Sequence, residues 1–159
     1  MKQRRKPAPT LESKGERYPL RMFQSAEHKV TGIDYGWRWT VSGFEPPNRL
    51  NGPQSRTWRA RWGKGKDLAE KFDYLLVAAR PLPSFKGKVA LRYWRTYRSQ
   101  PLDEDALSAS VKPILDALVR AKVIEDDDPA HVDLSCDQGP RYGGPARFMV
   151  SLEPSGAQV

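Results

Sequence analysis

A chain of 159 residues can enclose one hydrophobic core but hardly two, so a single domain is expected. Its 27 lysines and arginines outnumber 19 aspartates and glutamates, and a formal net charge of +8 favours a polyanionic partner. The lone Cys136 excludes an internal disulfide and has no ligand spacing around it for zinc, while the longest apolar run, Tyr74 to Ala79, falls far short of the ~20 residues that span a bilayer.

From Met1 to about Gly36 the sequence is polar and basic, without sustained periodicity of 2 or 3.6, which predicts a flexible arm over residues 1–36. No apolar segment follows the basic stretch Met1 to Lys6, so no signal peptide is expected. Order is expected to begin near Trp37, where Trp37, Trp39 and Val41 alternate with Arg38, Thr40 and Ser42 as in a half-buried strand that ends at Pro46-Pro47. The segment Pro46 to Pro53 has the Pro, Asn and Gly density of a loop. Leu68, Phe72, Leu75, Leu76 and Ala79 then recur at helical spacing over Asp67 to Arg80, with Asp67 suited to the N-cap and Pro81 to the stop. Lys88 to Arg98 reads as a long strand with Val89, Leu91, Tyr93, Arg95 and Tyr97 on one face.

A second helix is expected from Asp105 to Ala121, with Leu107, Val111, Ile114, Leu115 and Leu118 on its apolar stripe. Pro113 removes a donor and crowds the preceding turn, which predicts a kink or two abutting helical pieces. His131 to Cys136 and Arg147 to Leu152 read as strands joined by the loop Gln138 to Pro145, and residues 155–159 as a tail. The order of elements is that of an α+β domain over residues 37–154.

Within this basic chain, carboxylates concentrate between Leu102 and Val132: Asp103 and Asp105, then Asp116, then Glu125, Asp126, Asp127 and Asp128. Carboxylates this close disfavour one another's ionised form unless a cation intervenes, and Mg²⁺ prefers hard oxygen ligands while leaving positions for water and phosphate. Along a helix Lys112 lies seven residues after Asp105 and Asp116 eleven after, so the three project within roughly 20° of one another. A metal-dependent enzyme acting on nucleic acid fits this pattern. So does an ordinary amphipathic helix in which Asp105 is an N-cap, Lys112 and Asp116 form a surface pair, and residues 125–128 are a solvated turn.

The stretch Leu102 to Leu118 (LDEDALSASVKPILDAL), followed by Val123-Ile124-Glu125-Asp126-Asp127, resembles the RusA family of phage and prophage Holliday junction resolvases. That family's D-x-D-N-L opening, helical lysine, D-x-L and final D-D are matched in order by Asp103 and Asp105, by Lys112, by Asp116-Ala117-Leu118 and by Asp126-Asp127. Three departures are visible: Ala106 stands where asparagine is expected, the interval from Asp105 to Lys112 is longer than in shorter members, and Asp128 adds a carboxylate to the turn. The resemblance covers roughly residues 37–153. It implies a small mixed β-sheet packed with two main helices, and a homodimer that nicks four-way DNA junctions symmetrically with Mg²⁺, or with Mn²⁺ as a substitute. It implies Asp103, Asp105, Asp127 and Asp126 as metal ligands, Lys112 as the donor to the scissile phosphate, and a cytoplasmic, nucleoid-associated setting in a bacterial or phage-infected cell.

Phosphate contacts are expected from Lys112, from Arg92, Arg95 and Arg98 ahead of the acidic segment, and from Arg49, Arg59, Lys64 and Lys66, with Arg56 and Arg61, after the Pro-rich loop. Trp58 and Trp62 suit either base stacking or a core. His131, beside the acidic turn, is expected to be an ordinary strand residue more than a ligand. Two other classes stay in view: a DNA-binding protein that keeps the fold without the chemistry, for which Ala106 is the argument, and a basic scaffold or RNA-binding module.

Overall fold

The computed structural model describes residues 11–20, 35–44, 58–97, 100–141 and 143–155, with residues 58–67 described through their backbone alone. Seven elements follow one another: β1 (Glu12–Pro19), β2 (Tyr35–Ser42), α1 (Trp58–Ala78), β3 (Val89–Tyr97), α2 (Glu104–Arg120), β4 (Val132–Arg141) and β5 (Arg147–Pro154). The strands form one sheet in the order β1-β2-β5-β3-β4. Neighbours are antiparallel except β3 and β4, which run parallel through the crossover helix α2. The fold is α+β, a small mixed sheet with two helices. Among the described residues, no helix is long and apolar enough to cross a membrane.

The alternation in the sequence builds the core directly. Trp37, Trp39 and Val41 of β2, Phe148, Val150 and Leu152 of β5, and Val89, Leu91 and Tyr93 of β3 are all buried, and strand geometry puts each set on one face. Phe72, Leu75, Leu76 and Ala79 of α1 and Val111, Ile114, Leu115 and Leu118 of α2 join them in a single cluster. Aromatic edges meet faces at its centre: Trp39 lies 5.3 Å from Phe148, and Phe44 5.4 Å from Phe72. Both helices therefore cover one face of the sheet, and among the described residues none covers the other.

Two expectations need correction. Residues 12–19 are not part of an arm: they form edge strand β1, paired with β2 from Glu12↔Ser42 to Pro19↔Tyr35. Its inward positions are too small or polar to produce an apolar alternation. Ser13 Oγ donates to Leu75 O at 2.6 Å and accepts from Trp39 Nε1 at 2.9 Å. A Cβ on Gly15 would stand 2.6 Å from Ala79 O, so glycine lets the strand approach the end of α1. The first helix also begins at Trp58, not Asp67, which is an interior residue and no N-cap. Gly63 and Gly65, each disfavouring a helix by up to about 1 kcal/mol relative to alanine, hid that first part. The expected loop at Pro46 to Pro53 and residues 1–10, 21–34 and 156–159 lie outside the described residues.

The second helix is assigned as one unbroken segment through Pro113, which is buried. Its C-terminus positions the acidic turn. Val123 N–H donates to Leu118 O at 2.9 Å and Lys122 N–H to Val119 O at 3.0 Å, the paired bonds of a Schellman cap, with Lys122 in the left-handed region at φ 59°. Val123 and Ile124 are then buried, and Val123 O accepts from Phe85 N at 2.8 Å. The backbone is anchored immediately before Glu125.

Candidate metal and phosphate site

At the start of α2, Asp103 is the N-cap: its backbone is extended and its Oδ1 accepts from Ala106 N at 2.8 Å. Glu104 and Asp105 occupy the first turn, where a negative charge complements the helix dipole. Gln138 of β4 fixes the approach to this end, since its Oε1 accepts from Leu102 N at 2.9 Å. Asp103 and Asp105 are both exposed. The cap falls to Asp103, two residues before Asp105, to which the sequence reading gave it.

Farther along the helix, Lys112 lies between two carboxylates. Its Nζ is 2.9 Å from Asp116 Oδ1, one turn on, and it donates directly to Asp127 Oδ2 across the capped turn. The hydrogen bond from Lys112 holds the Asp127 carboxyl below its ordinary range, and the same bond, with that to Asp116, raises the Lys112 ammonium. Asp116 and Asp127 thus join Lys112 in one charged group, of which the common helical face suggested only the Lys112–Asp116 pair.

Beyond it the turn folds on itself. Asp126 Oδ1 accepts from Asp127 N at 2.7 Å, and Asp128 Oδ1 accepts from His131 N at 3.0 Å. His131 Nδ1 lies 2.6 Å from the same Asp128 oxygen, and Glu125 Oε2 lies 3.9 Å from His131 Nε2. Glu125 also accepts from Gly87 N at 3.2 Å, tying the turn to the approach of β3. The hydrogen bond with Asp128 raises the imidazole pKa and lowers that of Asp128. His131 was passed over in the sequence because one histidine at a strand start is unremarkable; the available signal was the Asp128-Pro129 turn, which returns the chain by three residues onto the carboxylate.

Among the described residues, one group of three or more side chains presents metal-ligand atoms within 4.8 Å of one another, namely Asp126, Asp128 and His131. Two carboxylate oxygens and an imidazole nitrogen suit a divalent cation of the Mn²⁺ kind as well as Mg²⁺. Asp103 and Asp105 stand outside that group. Helix rise separates Asp105 from Lys112 by about 10 Å along the axis, which is why a shared face did not bring the two ends together.

The predicted phosphate contacts disperse. Arg92 is exposed, but on the open sheet face opposite α2. Arg95 is 3% exposed, with Nε donating to Thr96 O at 3.3 Å, so its expected role as a surface phosphate contact is corrected: strand alternation carries it into the core layer beside Tyr93. Arg59, Lys64 and Lys66, with Arg61, Trp58 and Trp62, fall on α1 where only the backbone is described, and Arg49, Arg56 and Arg98 lie outside the described residues. No model of a known protein family matches the chain, and no curated protein is significantly similar to it.

Proposed function

We propose that the chain is a metal-dependent endonuclease selective for branched DNA, of the RusA type, acting as a homodimer that nicks four-way junctions symmetrically. The observation that supports it best is the placement of Lys112 against Asp127, 15 residues away, beside three further carboxylates in a chain of net charge +8. Asp126 and Asp128, with His131, would hold Mn²⁺ or Mg²⁺, with Asp127 adjoining them and Asp103 and Asp105 standing apart at the other end of α2. When bound, the metal lowers the pKa of water and neutralises charge on a phosphodiester. Lys112 supplies the protein's own part: released from Asp127 and still paired with Asp116, its ammonium can donate to a non-bridging phosphate oxygen as charge grows there.

The test is cleavage of a synthetic mobile four-way junction by the full chain, with Mg²⁺ or EDTA, beside a linear duplex. Paired nicks that require metal and spare the duplex are expected; tight binding without nicks overturns the enzyme. A second reading, a junction-binding protein of the same fold without chemistry, draws on one observation: the Asp103 carboxylate is engaged by the backbone N–H of Ala106, where the family pattern has asparagine. In that case Asp105→Asn and Asp127→Asn leave junction affinity and the absence of cleavage equally unchanged.

A further inference from the structure

We propose that the open face of the sheet docks a second copy of this chain. The inference rests on the nuclease reading for the expectation of a two-fold dimer, and adds the surface. Both helices cover the opposite face, and the described residues leave on this one a depression of about 1370 Å³ that crosses all five strands. Its charged lining is Arg38, Arg92 and Arg147 against Glu16, Asp137 and Glu153. Three of each sign make the face neutral, although the chain as a whole is +8. A polyanion gains nothing from a neutral face, whereas a like-charged second copy can approach there without net repulsion.

The charges are also distributed for pairing between copies. Arg92 and Arg147 have no carboxylate partner among the described residues, and Asp137 has no cationic one, its Oδ1 accepting from Gln138 N. Arg38 holds Glu16 at 3.5 Å through one terminal nitrogen, but its Nε is buried with no acceptor. Between these groups, Thr40, Met149, Trp94 and Asp137 stand side by side in one row of the ladder, so half-buried Met149 and Trp94 form an apolar centre with a charged rim. A two-fold axis makes every such contact reciprocal, so one cation set against a carboxylate of the other copy gives two ion pairs at once. Five strands about 4.8 Å apart and eight residues long give a flat projection of roughly 600 Å². Side-chain relief enlarges that toward the ~800 Å² per partner of a standard interface.

The test uses analytical ultracentrifugation of the full chain from about 5 to 200 µM, with two variants of opposite sign: R92E/R147E, which makes the face acidic, and E16K/D137K, which makes it basic. The wild type is expected to sediment at twice 18.1 kDa. Each variant alone should weaken self-association at least tenfold, and an equimolar mixture should recover a heterodimer, a recovery that misfolded chains cannot give. A monomeric wild type at 200 µM overturns the proposal, as do variants that dimerise normally alone, or folded variants, by circular dichroism, that do not recombine. So does tight binding of a single-stranded 20-mer lost in R92E/R147E alone, which would assign the face to nucleic acid. Junction cleavage by a dimer indifferent to both variants removes the docking surface and leaves the nuclease; recombining variants without cleavage do the reverse.

Discussion

The two ends of α2 hold similar numbers of carboxylates and use them differently. At the N-terminus, Asp103 satisfies an orphan backbone donor and Glu104 and Asp105 oppose the helix dipole, so each acid has an ordinary role in starting a helix. At the C-terminal side the helix is already closed by backbone bonds, and Glu125 to Asp128 gather around Lys112 and His131 after the anchoring is complete. Acids there combine backbone bonds with charged contacts to Lys112 and His131. The contrast teaches that carboxylate density alone says little, and that carboxylates gathered around a lysine and a histidine mark the more promising chemistry.

Mutations can break that contrast. Asp127→Asn should lower junction cleavage on the order of 10²-fold with little change in melting temperature; an Asp105→Asn loss of equal size, read in the same assay, would show both ends serving one site. Asp103 separates cap from ligand: Asp103→Ala should cost about 1 kcal/mol in urea unfolding, while Asp103→Asn, an equally good cap, should cost at most a few tenths and affect only cleavage. Lys122→Gly should stabilise the fold by about 0.5 to 1 kcal/mol, since glycine enters the left-handed region freely, and a destabilisation would refute the assigned cap.

The smallest effect concerns His131. Its pKa is raised by Asp128, so the imidazolium pair contributes stability below the unfolded value near 6.5, and that contribution disappears as pH rises through the higher folded value. Proton NMR of the imidazole should place its midpoint above 6.5, and Asp128→Asn should return it toward 6.5. Asp127 and Asp128 act in the opposite direction: their pairs are intact above about 3.8 and are lost as pH falls through their lowered values.

Sequence periodicity was informative wherever a face is buried by apolar side chains. Leu107, Val111, Ile114, Leu115 and Leu118 all reach the core, as do Val89, Leu91 and Tyr93. It failed where burial is achieved by backbone or by small polar groups, as with Ser13 and Gly15 in β1, and where Gly63 and Gly65 lower helix propensity inside α1. Within the candidate site, Lys112 with Asp116 was legible from helix geometry, whereas the contact of Lys112 with Asp127 was not, because it depends on the capped turn. His131 was not, because its meeting with Asp128 depends on a turn whose closure no periodicity encodes. Arg95 shows the opposite error, since counting cations near a site ignores which face of a strand each one takes.

The Schellman cap and the buried Val123-Ile124 pair fasten the chain before the acidic residues begin, so the entry to the turn is held independently of residues 125–128, whose own carboxylates close only the turn itself. Such a socket can be refitted. Successive substitutions at these positions can exchange one metal preference for another, or abandon chemistry for binding, while the buried anchor before them stays in place, so the turn is the part of this molecule through which a lineage could change its trade while keeping its architecture.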